Sequence, residues 1–127
     1  MAAESVLIVD DDARSLRLLR DLLTHHGYDV RAVGSGEQAC AEVADGFVPA
    51  LVMMDVHMPG MGGIAAIAAL RAVPALAGAR YIALTASVMP HQLAPLEAAG
   101  IAAFHTKPID IDRLLLEVER LLHGAGR

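Results

Sequence analysis

The chain has 127 residues, 55% of them apolar, which is material for one well-buried core and leaves no room for a second domain of ordinary size. Ten basic residues against fifteen acidic ones give a formal charge of -5, which argues against the basic stripe that direct nucleic-acid binding needs. A single cysteine, Cys40, allows no internal disulfide, so a reducing compartment is the default and Cys40 is expected to be an inert buried thiol.

Mean hydropathy is +0.47, so a membrane reading has to be tested first. The longest uncharged stretches, residues 56–70 and 81–96, are shorter than the roughly 18 to 20 apolar residues a span requires, and Pro or Gly interrupts both. No basic segment precedes an apolar one at the N-terminus, so no signal peptide is visible and a cytoplasmic location is expected.

Five short apolar runs alternate with stretches of helical period, the pattern of an α/β domain in which a parallel sheet is wrapped by helices. The first strand, residues 5–9, is almost wholly apolar, as a strand buried on both faces should be, and it stops at Asp10-Asp11-Asp12. Residues 13–26 place Leu16, Leu19 and Leu23 on one helical face, and Gly27 ends that helix. A second strand spans residues 28–33. Ser35 with Gln38 has capping-box spacing for a helix to about residue 44. The third strand, residues 50–54, ends at Asp55, and Pro59, Gly60, Gly62 and Gly63 then mark a shaped loop before a helix over residues 64–72. A fourth strand, residues 81–84, ends at Thr85. The fourth predicted helix, residues 86–96, carries Pro90 and Pro95 and no charge, so it is expected to start at or after Pro90 and to present an apolar surface to a partner or a second copy. The fifth strand, residues 102–106, ends at Lys107-Pro108, and Asp110 caps a last helix whose apolar positions recur to about residue 123.

In an open parallel sheet, ligands bind beyond the carboxyl ends of the strands, near the point where strand order reverses. The chemistry-bearing residues gather at those ends: Asp10, Asp11 and Asp12 after the first strand, Asp55 after the third, Thr85 after the fourth and Lys107 after the fifth. Carboxylates about 4 Å apart repel by roughly 1 to 4 kcal/mol per pair, so such a group needs cations. An oxygen-only cluster with open positions suits Mg²⁺, which binds through one or two carboxylates plus a phosphate. Lys107 is the chain's only lysine, and a compact ammonium reaching a phosphate is not interchangeable with a guanidinium. Asp12 is expected to cap the first helix rather than to bind metal. The histidines at 25, 26, 57, 91, 105 and 123 lack zinc-ligand spacing and read as scattered surface residues.

Asp10-Asp11, Asp55 in Asp-Val-His-Met-Pro-Gly-Met-Gly-Gly, Leu-Thr-Ala at 84–86 and Phe104-His-Thr-Lys107-Pro108 together resemble the receiver domain of bacterial two-component response regulators, over residues 6 to about 122. The resemblance implies a flavodoxin-like, doubly wound five-stranded parallel sheet of order 2-1-3-4-5 with five helices, in one domain over residues 1–127 with its core at about 5–123. It makes Asp55 the acceptor of a phosphoryl group from a phosphohistidine on a sensor kinase or phosphotransfer protein. Asp11, Asp10 through water, Asp55 and the His57 backbone carbonyl would hold Mg²⁺. Thr85 and Lys107 would bind the phosphoryl oxygens. Thr85 and Phe104 would form a switch that alters the face made by the fourth helix, fifth strand and last helix, and the His57 side chain would overhang the phosphoryl site. The Lys107-Pro108 bond is expected to be cis. Such a protein catalyses only its own phosphorylation and dephosphorylation and is not a classical enzyme.

With no output domain after the predicted core, a stand-alone module acting by protein contact is expected, a domain of a hybrid kinase or larger regulator being the alternative. A phosphorylation-independent docking or dimerisation module on the same fold is the rival function. An aspartyl-phosphate phosphatase would need a second Asp where His57 stands, and no G-x-G-x-x-G marks a dinucleotide site.

Overall fold

The computed structural model of the protein describes residues 4–57, 62–86 and 97–123. Strands β1 (Ser5–Val9), β2 (Asp29–Val33), β3 (Leu51–Asp55), β4 (Arg80–Thr85) and β5 (Ala103–Thr106) form one sheet of order β2-β1-β3-β4-β5. Every neighbouring pair is parallel, with Val6 opposite both Val30 and Leu51. Parallel neighbours need crossovers, supplied by helices α1 (Ala13–His25), α2 (Gly36–Ala44) and α3 (Gly63–Arg71) and followed at the C-terminus by α4 (Ile111–His123). Residues 87–96, which hold most of the fourth predicted helix with Pro90, His91 and Pro95, lie outside the described residues.

The sheet separates two apolar layers. Because successive side chains of a strand point to opposite faces, β1 and β3 serve both. Leu7, Val9, Val52 and Met54 pack with α2 and α3 through Ala39, Val43, Ile67 and Leu70. Val6, Ile8, Leu51 and Met53 pack with α1 and α4 through Leu19, Leu23, Leu114 and Val118. This double burial explains why β1 and β3 read as continuous apolar runs. Cys40 is only partly buried, beside the α2/α3 layer.

The helix ends follow their capping chemistry. Asp12 accepts from the Arg14 amide at 3.0 Å, so it caps α1. Ser35 Oγ accepts from the Gln38 amide at 3.1 Å, while Gln38 reaches back to the Gly34 N–H at 2.7 Å, one residue before the cap. Asp110 accepts from the Arg113 amide at 3.2 Å at the entrance to α4. Gly27, with φ 92°, takes the left-handed conformation that follows α1. Two elements depart from the sequence reading. Gly63 is the first residue of α3 rather than loop, and a short 3-10 turn, Pro74–Leu76, lies between α3 and β4.

His105 corrects the expectation of surface histidines. It is 5% exposed on β5 and its Nε2 has no hydrogen-bond partner, because its face of the strand is the one covered by α4. Burial pushes its pKa below the ordinary value; Glu117 opposes this, Arg113 adds to it and Asp110 opposes it more weakly. A base that stays neutral when folded but charges when unfolded contributes stability that is present above the unfolded value near 6.5 and is lost as pH falls below it. Denaturant unfolding at pH 7.5 and 5.5 should therefore show a smaller acid-side loss of stability in His105→Leu than in the unsubstituted chain.

Candidate functional site

β1 and β3 are adjacent, with Val9 opposite Met54, so Asp10 and Asp55 emerge side by side where the strand order reverses. Asp10 is fully buried and Asp55 is 4% exposed, while Asp11 stands in solvent at the rim. One carboxylate oxygen from each of the three lies within 4.8 Å of the others.

Asp10 and Asp55 are held in the same way. Asp10 Oδ1 accepts from the Asp12 amide at 2.9 Å, and Asp55 Oδ1 accepts from the His57 amide at 3.0 Å. Each Oδ2 faces Lys107, whose Nζ is 2.9 Å from Asp10 and 3.3 Å from Asp55. The lysine is set from behind: its own N–H donates to the Thr85 carbonyl at 2.7 Å, and the bond to Pro108 is cis, as expected.

The electrostatics are those of two carboxylates sharing one ammonium. Burial raises the pKa of Asp55, the His57 amide lowers it, the charge of Asp10 raises it and Lys107 lowers it; the net direction is upward. Burial works against the Lys107 ammonium, but contact with Asp10 and the charge of Asp55 outweigh it, and the amine is raised. Asp10 Oδ2 is sealed from solvent and, although next to the ammonium, makes no well-aligned hydrogen bond. Two buried carboxylates sharing one ammonium, in an all-oxygen cluster whose third member Asp11 is open to water, are the donor set a hard divalent cation takes, so the residues present fit magnesium.

Thr85 ends β4 and is 1% exposed, with Thr106 of β5 opposite it. Phe104 lies three residues before Lys107, opposite Ala83, half-buried against the α2/α3 layer. His57 is exposed, and its bond to the cluster is through its backbone N–H. The sequence reading missed the support that Gly63 gives. A Cβ on Gly63 would come 2.6 Å from the Asp55 carbonyl oxygen and 2.7 Å from Val56 Cα, so α3 can start against the end of β3 only with glycine there. The Gly62-Gly63 pair was the visible signal.

A buried acidic pair bridged by one lysine at the switch point of a 2-1-3-4-5 sheet defines a signalling module of the two-component class, and the comparisons agree. The chain belongs to the response regulator receiver domain family, whose model matches residues 6–119. It is 35% identical over 113 residues to the sensory/regulatory protein RpfC of Xanthomonas campestris pv. campestris, covering 87% of this chain and 15% of that protein. It is 30% identical over 122 residues to the polar-differentiation response regulator DivK of Brucella ovis, covering 96% of this chain and 98% of DivK. The chemotaxis protein CheY4 of Vibrio cholerae superposes with a TM-score of 0.90 at 26% identity, covering 95% of this chain and all of CheY4. The chain thus spans a small fraction of one curated relative and nearly the whole of another. Among the described residues, no helix is long and apolar enough to cross a membrane.

Overpacking at Gly63 should reach the site directly. Gly63→Ala is expected to cost about 1 to 3 kcal/mol in denaturant unfolding and to move the Asp55 and His57 amide resonances, because the clashes are with backbone that has nowhere to go.

Proposed function

We propose that the protein is an Mg²⁺-dependent phosphoryl acceptor, modified at Asp55 by the phosphohistidine of a histidine kinase or phosphotransfer protein. The observation that carries this is the shared lysine: Lys107 holds one oxygen of Asp10 and one of Asp55 inside a three-carboxylate cluster. In the transfer, an Asp55 carboxylate oxygen forms a bond to phosphorus as the N–P bond of the phosphoimidazole breaks. The electron pair goes to the imidazole nitrogen, which takes up a proton from solvent.

Asp10, Asp11 and Asp55, with the His57 backbone carbonyl, would hold the magnesium ion. When bound, the ion neutralises charge on the phosphoryl oxygens as a Lewis acid. Lys107 then exchanges its contact with Asp55 Oδ2 for a phosphoryl oxygen while keeping Asp10, and the Thr85 hydroxyl hydrogen-bonds another. Movement of Thr85 toward the new group frees space for Phe104 to turn inward, which changes the surface around β5 and α4 that a partner reads. Burial of Asp55 limits access of hydrolytic water to the acyl phosphate.

A protein donor has to bring its phosphohistidine to Asp55, so its docking surface must border the cluster. A groove of about 520 Å³ does so, lined by Asp10 and Lys107 together with Leu18, Ile109 and Ile111. Leu18 is 57% exposed there, so its side chain is open to a partner.

Incubation with acetyl phosphate and Mg²⁺ should add one phosphoryl group by intact mass, and Asp55→Ala should abolish it; phosphorylation that persists in the variant would refute the site. Leu18→Glu should slow transfer from any phosphohistidine protein that phosphorylates the unsubstituted chain by about ten-fold, equivalent to about 1.4 kcal/mol. The same variant should leave the acetyl phosphate rate within roughly two-fold, since that donor needs no docking surface.

A further inference from the structure

At the opposite end of the sheet from the acidic cluster, where α3 ends and β4 begins, is a second cavity of about 610 Å³, within the range of small-molecule sites. Arg71, the last residue of α3, and Arg80, the first of β4, both line it, and among the described residues no acidic side chain does. Neither arginine has a carboxylate within ion-pair distance among the described residues, although Arg20, Arg31 and Arg120 each hold one. In a chain with an acidic excess, two uncompensated guanidinium groups on one cavity wall make a local positive field.

Arg71 is fixed in place rather than waving in solvent. Its Nη1 donates to the Ala99 carbonyl at 2.8 Å, and its Cζ lies where a Cβ on Gly100 would come within 2.8 Å. Gly100, with φ +92°, thus supplies both the turn and the room for the guanidinium. The tether to Ala99 uses one of five N–H donors and leaves a planar fork available. Tyr81 also lines the cavity. It is 3% exposed, and its hydroxyl is buried with no hydrogen-bond partner, an arrangement that costs stability unless an acceptor arrives. A purely structural role accounts for the Arg71 tether but not for the orphaned Tyr81 hydroxyl.

We propose that this cavity binds a small dianionic molecule through a phosphate or carboxylate group held between Arg71 and Arg80. Guanidinium forks match the paired oxygens of either group, and the Tyr81 hydroxyl gains an acceptor after a small shift of the wall. The bound anion would tie the end of α3 and the start of β4 to the 97–100 turn that leads into β5.

The test is an amide-resolved NMR titration of the full chain with inorganic phosphate and, separately, succinate, in EDTA and at ionic strength held constant with NaCl. Saturable shifts are expected at Gly78, Arg80, Gly100 and Ala102. Arg80→Gln, at an exposed position outside both apolar layers, should weaken binding about ten-fold or more, and Arg71→Lys should weaken it by losing the fork while keeping the charge. Tyr81→Phe should weaken it less, and Arg31→Gln should leave it unchanged. The tighter of the two probes names the anion class. Shifts that fail to saturate, that NaCl alone reproduces, or that survive Arg80→Gln would overturn the proposal, and shifts confined to Asp55 and Thr85 would assign phosphate to the acidic cluster instead.

Discussion

Lys107 stands between Asp10 and Asp55, and the upper end of the sheet depends on that contact. Two carboxylates at such separations repel by roughly 1 to 4 kcal/mol when partly solvated, and burial adds a desolvation cost for each. The protein answers with one ammonium and two backbone amides, each carboxylate placing one oxygen on an amide two residues ahead and the other on the lysine. The compensation is incomplete, since Asp10 Oδ2 stays without a well-aligned hydrogen bond. A site short of positive charge, at the crevice of a doubly wound sheet, is poised to take up a cation and an anionic group together.

The geometry that delivers this contact is made by the fold. Adjacency of β1 and β3 follows from the 2-1-3-4-5 order, and the 2.7 Å bond from the Lys107 amide to the Thr85 carbonyl fixes where the lysine side chain begins. Gly63 lets α3 start hard against the Asp55 carbonyl, which holds the end of β3. The carboxylates therefore sit on strand ends braced by both apolar layers, and only Asp11 at the rim is free to adjust to solvent.

Much of this was legible in the sequence, for identifiable reasons. Double-sided burial wrote β1 and β3 as continuous apolar runs, and Asp12, Ser35 and Asp110 announced three helix starts because capping needs short polar side chains. Strand order came from the family resemblance, since periodicity does not encode which strands pair. His105 was misread because a polar residue in a four-residue strand resembles an outward-facing position, and only the packing of α4 shows otherwise. The three-residue turn at Pro74–Leu76 is too short to carry a period. The contact of Lys107 with Asp10 as well as Asp55 spans distant parts of the chain and left no local trace. The helix expected over residues 86–96 falls mostly outside the described residues.

The near-exclusive use of arginine has a practical side. Of the ten basic residues only Lys107 carries a primary amine, and it is partly accessible, with 24% of its side chain exposed. Apart from the α-amino group, an amine-directed reagent therefore has a single address in this chain. Reductive methylation with isotopically labelled formaldehyde would install one reporter in contact with Asp10 and Asp55, without mutagenesis, and turn a residue-class chemistry into a site-specific probe.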